Sequence, residues 1–250
     1  MTRPVFHWHS CSQTDRGLTR KINEDAFLDL PQEGLWIVAD GMGGHLSGEL
    51  ASNAVINSCR NIKAAGNLSL FTEDVKQRLL DTNQFLRTEA TRRDAVAIGS
   101  TAVALLTSEG QFSCIWAGDS RLYLYRNGAL KQLTRDHSLM EEFIREGLIP
   151  PDTRSHPTQN IITRSIGGQD ELQLDSIIGK LCHGDIFLAC SDGLSKELTD
   201  QEIAEILKEN NLGQSCQKLI ESALAHGAHD NVTVVLVQFE GDDKLLTQPG

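Results

Sequence analysis

The sequence predicts an α+β protein in which antiparallel β-sheets are flanked by layers of helices. Strand-like runs gather between and around two pairs of helical segments, whereas a parallel fold would alternate strand and helix. The chain contains no Gly-x-Gly-x-x-Gly turn and no Gly-Lys-Ser/Thr phosphate loop, so the nucleotide-binding folds lose most of their support. In this chain of 250 residues we expect one domain over residues 1–240 and a flexible tail over 241–250.

The predicted strands are rich in β-branched and aromatic residues and are bounded by Gly or Asp. They cover residues 26–30, 35–39, 100–106, 112–117, 121–125, 129–133, 172–178, 186–190 and 232–239. Asn127-Gly128 lies between two of these runs, and this dipeptide favours a two-residue hairpin turn because both positions need positive φ.

Helical periodicity marks four segments, in which apolar residues recur at three- and four-residue steps. These segments are residues 47–62, 72–91, 200–210 and 214–226. Thr199 and Glu202 have the spacing of a capping box, which predicts a helix start at that point.

Charge and cysteine usage narrow the possible partners and compartments. The formal net charge of −11 and the lack of a dense basic patch argue against nucleic acid and against an anionic membrane surface. The six cysteines are scattered singly, as in a cytoplasmic protein with reduced thiols. No apolar stretch approaches the roughly 20 residues of a membrane span. We therefore expect a soluble, cytoplasmic protein, and without heptads a monomer.

Four aspartates stand at the boundaries of predicted core strands. Asp40, Asp119 and Asp192 follow apolar strands, and Asp230 immediately precedes the last one. Each alone is common turn chemistry. If the four strand ends meet, however, the carboxylates would repel one another unless a cation lies between them. Oxygen ligands without His or Cys favour Mg²⁺ or Mn²⁺ over Zn²⁺.

The segment from Arg20 to Asp25 adds an arginine and further acids before another strand. Its spacing alone is typical of a solvated loop. A functional interpretation gives Arg20 a planar guanidinium for binding phosphate oxygens.

Taken in order, seven motifs resemble the metal-dependent type 2C protein phosphatase family in its bacterial form. The resemblance spans about residues 12 to 238, and its motifs are Arg20-x-x-Asn23-Glu24-Asp25, Ala39-Asp40-Gly41-Met42-Gly43-Gly44-His45, Gly99-Ser100-Thr101-Ala102, Ala117-Gly118-Asp119-Ser120-Arg121, Thr163-Arg164-Ser165-Ile166-Gly167, Ser191-Asp192-Gly193-Leu194 and Asp230-Asn231-Val232-Thr233. It implies two stacked antiparallel sheets with helices on both outer faces and a two-metal centre at one end.

The resemblance also implies a role for each candidate residue. Asp40 matches the carboxylate that bridges both metal ions, and Asp192 and Asp230 match further ligands of the first ion. The Gly41 carbonyl and Glu24 match contributors to the second ion.

Two further positions match the family pattern. Asp119 matches a residue that, with Asp192, holds a third and weaker ion in bacterial members, and Arg20 matches the arginine that clamps the substrate phosphate. The implied cofactors are therefore two Mn²⁺ or Mg²⁺ ions, with a third site open.

The implied reaction is hydrolysis of phosphoserine and phosphothreonine in proteins by a water or hydroxide that two metal ions share. Many eukaryotic members carry a proposed general acid, His, directly after the Asp-Gly pair, but this chain has Met42 there. His45 follows three residues later without evidence for that role, so the general acid stays unassigned. Residues 136–163 align with a mobile flap, and a plain surface connection is the alternative interpretation.

Three functions remain open at this point. The first is an active phosphatase that reverses a bacterial Ser/Thr kinase, and the implied partners are then phosphorylated proteins, including that kinase or its targets. The second is a binding module that keeps the fold without turnover, and the third is a phosphohydrolase for small phosphate esters. Every side-chain position that matches a metal ligand holds Asp or Glu, which favours an active enzyme.

Overall fold

A computed structural model describes residues 7–43, 47–64, 66–95, 97–150, 153 and 156–241. The strands are β1 (His7–Asp15), β2 (Asp25–Leu30), β3 (Leu35–Gly43), β4 (Ile98–Ser100), β5 (Ala102–Ser108), β6 (Gln111–Ala117), β7 (Arg121–Arg126), β8 (Ala129–Gln132), β9 (Asp175–Lys180), β10 (Ile186–Cys190) and β11 (Val232–Glu240). The helices are α1 (Ser47–Cys59), α2 (Leu68–Arg92), α3 (Leu139–Arg145), α4 (Asp192–Ser195), α5 (Asp200–Glu209) and α6 (Leu212–His226).

The strands form two sheets, and every pairing is antiparallel. Sheet I has the order β1-β11-β10-β7-β8. Sheet II has the order β2-β3-β5-β6-β9, and β4 pairs with β3 beside this path.

The alternation of side chains along β3 shows how the layers stack. Trp36 and Val38 point into the core between the two sheets, together with Phe187 of sheet I. Leu35 and Ile37 point to the opposite face, where they pack against α1 and α2. A third core joins sheet I to α5 and α6. Because a strand presents successive residues to opposite faces, one apolar run can serve two cores. The predicted sandwich with a helix pair on each outer face is confirmed.

Local details agree with the sequence-based predictions at the turn and at the helix cap. Asn127 and Gly128 have φ of 52° and 80°, as the predicted hairpin turn requires. Thr199 and Glu202 form the predicted capping box at the start of α5.

Three strands differ from their predictions by more than one residue. The predicted strand 35–39 continues to Gly43. The predicted strand 100–106 is divided at Thr101, whose amide donates to the Asp40 carbonyl (2.8 Å). The predicted strand 172–178 begins later, at Asp175.

Strand β1 was not predicted, because its residues are mostly polar. It lies at the edge of sheet I, where a strand can remain half exposed. Trp8 anchors it: its ring centroid lies 5.4 Å from that of Trp36 and 4.8 Å from that of Phe239.

The predicted flap, residues 136–163, contains helix α3. Every residue of this helix is at least partly exposed. The two ends of the segment are held together, since the Thr163 amide donates to the His137 carbonyl (2.8 Å) and the Leu139 amide donates to that of Ile161 (2.8 Å). Residues 151, 152, 154 and 155 lie outside the described part, so the flap and its alternative, a plain connection, both remain predictions.

The single domain over 1–240 likewise stays a prediction, and of the predicted tail only Gly241 belongs to the described residues. None of the described helices combines the length and apolar character needed to cross a membrane.

Candidate metal centre

The predicted acids meet at one edge of the sandwich. Asp40 lies in β3 of sheet II, while Asp192 follows β10 and Asp230 precedes β11, both in sheet I. Asp119 follows β6 and is buried. All four therefore contribute carboxylates to one region where the two sheets approach each other.

Asp40 is at the centre of this group. Burial raises its pKa well above the usual value, and the nearby charges of Asp25 and Asp192 act in the same direction. Asp119 and Asp230 add smaller contributions. The main chain of Asp40 is fixed by Thr101, whose Oγ1 accepts from the Asp40 amide (3.0 Å).

Asp25 is the acid that the sequence analysis left out of the site. It lies directly opposite Asp40 in the antiparallel pairing of β2 and β3. Its Oδ2 accepts hydrogen bonds from Ser191 Oγ (2.8 Å) and Thr233 Oγ1 (2.7 Å), while its Oδ1 is buried with no partner among the described residues. Burial raises the pKa of Asp25 to about 7, although the two hydroxyl donors oppose the shift.

Glu24 and the Gly41 carbonyl both pack against Gly48, which leaves room for them because it has no side chain. A β-carbon at Gly48 would overlap Glu24 Oε1 and would lie 2.8 Å from the Gly41 carbonyl oxygen. The Gly41 amide also donates to the Glu24 carbonyl (3.1 Å). The second residue of α1 therefore packs directly against two of the predicted ligands.

Asn231 joins the Arg20–Glu24 segment to β11. Its Oδ1 accepts from the Glu24 amide (2.8 Å), and its Nδ2 donates to the carbonyls of Arg16 (2.8 Å) and Ile22 (3.0 Å). This buried side chain replaces regular strand pairing at a point where the chain must turn toward the acids.

Arg20 contacts the same edge through Asp230. Its Nη2 lies 2.7 Å from Asp230 Oδ2, and half of its side chain is exposed. Burial is the largest single influence and lowers the pKa of Arg20. The charge of Asp230, its hydrogen bond and the charges of Asp40 and Glu24 together outweigh burial, so the pKa is raised. The guanidinium thus faces the acidic group and solvent.

Lys196 is a cation that the sequence analysis missed. It lies one helical turn after Asp192, and its Nζ forms an ion pair with Asp192 Oδ2. Burial raises the pKa of Asp192, whereas Lys196 opposes this shift. Burial and the charge of Asp192 together raise the pKa of Asp119 to about 8.

The donor set fits hard divalent cations. Three aspartates each have a buried Oδ1 atom without a hydrogen-bond partner in the described part of the chain: Asp25, Asp119 and Asp192. Buried carboxylate oxygens without partners are costly unless a cation satisfies them. Among the described residues, no group of three or more His, Cys, Asp or Glu side chains is arranged, as the side chains stand, to hold a metal ion. Carboxylates repel one another, and here Arg20 and Lys196 pair with two of them.

The structure thus brings together every residue that was predicted for the site: Arg20, Glu24, Asp40, Gly41, Asp119, Asp192 and Asp230. The sequence analysis missed Asp25, Lys196 and the positioning role of Asn231. A signal for Asp25 was available, because extending the pairing of residues 26–30 with 35–39 by one residue places it opposite Asp40. His45, the unassigned histidine, lies outside the described residues.

Known proteins share both the sequence pattern and the fold. The family model described as Protein phosphatase 2C matches residues 18–232. Serine/threonine phosphatase stp of Listeria monocytogenes is 34% identical over 97% of this chain and 98% of its own length. The solved structure of PppA from Pseudomonas aeruginosa is similar with a TM-score of 0.88 at 38% identity, and the match covers 93% of this chain and 98% of PppA.

A second solved structure is the catalytic domain of the phosphatase PstP in complex with two manganese ions. It gives a TM-score of 0.86 at 31% identity, over 94% of this chain and all of that domain. Since the family model covers most of the sequence and the full-length relatives exceed 30% identity, this chain belongs to the protein phosphatase 2C family.

Proposed function

We propose that this protein is a metal-dependent phosphatase that hydrolyses phosphoserine and phosphothreonine in other proteins. The observation that carries the proposal is the meeting of Asp25, Asp40, Asp119, Asp192 and Asp230 at one edge, with oxygens that lack partners among the described residues. Membership of the protein phosphatase 2C family supports the same activity.

The proposed cofactors are two Mn²⁺ or Mg²⁺ ions, because carboxylate and carbonyl oxygens are the ligands that hard cations prefer. Asp40 would be shared, Asp192 and Asp230 would complete one site, and Glu24 with the Gly41 carbonyl would complete the other. Ions bound there would lower the pKa of water and offset negative charge on a phosphoryl group. The two manganese ions in the PstP structure support this assignment.

Arg20 supplies the phosphate-binding group. Its guanidinium is half exposed, and its partner Asp230 is itself a proposed ligand, so the fork can turn toward an incoming phosphate. A planar guanidinium binds two phosphate oxygens at once, which orients the phosphorus atom for attack from the opposite side. Arg20 therefore positions the substrate, and its positive charge stabilises the more anionic transition state.

The hairpin of β2 and β3 keeps the acids in place during the reaction. Ser191 and Thr233 donate to Asp25, and Thr101 fixes the main chain of Asp40, so both carboxylates belong to rigid strands of the sandwich. Such preorganised groups need no rearrangement when charge develops on the substrate. The proton that the leaving serine or threonine oxygen requires has no assigned donor.

Phosphorylated proteins are the proposed partners, including a bacterial Ser/Thr kinase or the targets of one. The exposed side chain of Arg20 is compatible with a substrate that approaches as part of a folded protein. The six unpaired cysteines support a cytoplasmic location, since disulfides are rare in reducing compartments.

The first test is hydrolysis of a phosphothreonine peptide with Mn²⁺, with Mg²⁺ and with EDTA. We expect activity only with a metal ion. Asp40→Asn should lower kcat/KM by at least about 100-fold, since even outer-shell changes at metal sites cost 10- to 100-fold. Asp81→Asn, on the surface of α2, is the control and should retain activity.

A folded, metal-loaded sample that leaves the peptide intact would contradict the proposal and favour a binding module. Higher kcat/KM on a small ester such as p-nitrophenyl phosphate than on the peptide would instead favour a small-ester phosphohydrolase.

A further inference from the structure

We propose that the ammonium group of Lys196 takes the place of a divalent ion beside Asp119 and Asp192, so that Asp119 holds no metal ion in this chain. This inference rests on the proposed function, because it concerns the same acidic edge. It identifies Lys196 as a positioning residue that sets how many ions the centre accepts.

The first support is the geometry of helix α4. Lys196 caps this short helix, and its amide donates to the Asp192 carbonyl (2.8 Å). Residues four apart lie on the same side of a helix, which brings Lys196 Nζ into direct contact with Asp192 Oδ2. The lysine is therefore held beside the carboxylate by the backbone itself, and only a third of its side chain is exposed.

The second support is electrostatic: Asp119 and Asp230 both lie within electrostatic range of the same ammonium. Asp119 is 4% exposed, and its Oδ1 has no hydrogen-bond partner in the part of the chain that the structure describes. An ammonium carries three donors on a flexible stem, so Lys196 can satisfy Asp192 and still serve a second carboxylate.

The third support is competition for the same space. Two buried carboxylates need a cation between them, and either a metal ion or the lysine can supply it. An ammonium in contact with Asp192 would repel a divalent ion that approached from the Asp119 side. The lysine also has the advantage of being tethered, because an intramolecular partner acts at a high effective concentration.

Asp40 and Glu24 differ in this respect. In the described residues, neither side chain forms a direct ion pair with a lysine or an arginine, although Arg20 lies within electrostatic range of both. External ions are therefore required there. Asp192, by contrast, already has an ammonium against its Oδ2, and Asp119 lies within electrostatic range of that ammonium.

The test is a count of bound Mn²⁺ by equilibrium dialysis with electron paramagnetic resonance of the free ion. Lys196→Met keeps the length of the side chain and removes its charge, and it should bind one ion more than the wild type. Adding Asp119→Asn to Lys196→Met should remove that extra ion. Asp119→Asn alone should leave the wild-type count unchanged.

Two variants serve as controls. Lys196→Arg keeps a cation and should keep the wild-type count, as should Lys208→Met at the exposed end of α5. Circular dichroism checks that each variant is folded. If Lys196→Met does not fold, the comparison of Asp119→Asn with the wild type still decides the question.

Two results would overturn the inference. One is a folded Lys196→Met variant that binds no additional ion, and the other is loss of an ion when Asp119→Asn is made in the wild type. A different result would contradict the proposed function, namely a wild type that binds no ion at all.

Discussion

The two sides of the acidic edge are held by different forces. On the hairpin side, formed by Glu24, Asp25, Asp40 and Gly41, backbone pairing and close packing position the oxygens. On the loop side, formed by Asp119, Asp192 and Asp230, cationic side chains lie against the acids. In the described residues, direct ion pairs with lysine or arginine occur only on the loop side of this edge.

This difference indicates which changes each side tolerates. Steric changes should damage the hairpin side most, since its geometry depends on glycines that leave no room for a β-carbon. Changes of charge should alter the loop side, where attraction between opposite charges does the positioning. The hairpin side should also gain most from bound cations, because its own charges are not compensated.

The largest effect is expected from Gly48→Ala, which would break the close packing of the hairpin side. The new β-carbon would overlap Glu24 Oε1, so Glu24 or the first turn of α1 has to move. A displacement of about 1 Å at a catalytic centre can lower the rate by about 100-fold. We expect that loss in kcat/KM on a phosphothreonine peptide at saturating Mn²⁺.

Gly213→Ala is a matched control, because Gly213 is also the second residue of its helix. A β-carbon there meets nothing nearer than Asn211 Oδ1 at 3.7 Å. Alanine is a better helix former than glycine by roughly 0.5–1 kcal/mol, so this variant should be active and no less stable. Equal activity of the two variants would show that the packing of Gly48 does not position Glu24.

An intermediate effect is expected from Asp25→Asn, which tests whether the hairpin side lacks charge compensation. In EDTA near pH 8 the wild type keeps a buried, charged carboxylate at Asp25, because its pKa is raised only to about 7. Replacing this carboxylate with a neutral amide removes the free-energy cost of burying the charge. We expect the Tm in EDTA to rise by roughly 2–4 °C, as for about 1 kcal/mol in a domain of this size. The further rise in Tm on adding Mn²⁺ should become smaller.

Asp29→Asn is the comparison within the same strand. Asp29 accepts hydrogen bonds from Ser10, Ser12 and Trp36, all of which favour a carboxylate over an amide. This variant should lower the Tm by a similar amount with EDTA and with Mn²⁺. A fall in Tm for Asp25→Asn in EDTA would mean that Ser191 and Thr233 already compensate the charge.

The sequence predicted the features that depend on neighbouring residues, and it missed those that depend on contacts between distant segments. Strand-like runs and helical periodicity are local features, and their grouping predicted the layered fold. Apolar runs that end at Asp-Gly are also local, and they predicted the positions of Asp40 and Asp192. The resemblance added Arg20, Glu24 and Gly41, which the spacing of residues alone assigned to a solvated loop or left without a role. Their placement at one edge agrees with these predictions, while the ligand roles remain proposals.

What could not be predicted depends on contacts between distant segments. Strand β1 carries mostly polar residues, and it is a strand because it pairs with β11 and Trp8 packs on Trp36. Lys196 reaches Asp192 only because residues 192–195 form a helix too short to give a periodic signal. The role of Asn231 likewise depends on Arg16 and Glu24, which lie more than 200 residues away in the chain.

The smallest effect is expected from His137, which supports the loop side through the residue before Asp119. His137 Nδ1 accepts a hydrogen bond from the Gly118 amide (3.1 Å), so the ring must be neutral at this nitrogen. Burial lowers the pKa of His137 below 6.5, Asp175 opposes the shift, and Arg164 adds to it. His137 is therefore neutral in the folded state, whereas in the unfolded state it binds a proton more readily.

The sign of the pH dependence follows from this difference. The contribution of His137 to stability is fully present above pH 6.5 and is lost as the pH falls through the lower pKa of the folded state. We therefore expect His137→Gln to lose less unfolding free energy than the wild type between pH 7.5 and 5.5. The difference in slope cannot exceed about 1.4 kcal/mol per pH unit, the limit for one proton.

Urea denaturation in EDTA at several pH values measures this difference, because the titration of the acidic edge is common to both proteins and largely cancels. His183→Gln, at an exposed position, should follow the wild type. If His137→Gln shows the wild-type slope, the hydrogen bond from Gly118 does not depend on the protonation of His137. The charge of His137 would then play no part in positioning the loop side, and Lys196 and Arg20 would be the cations that distinguish it from the hairpin side.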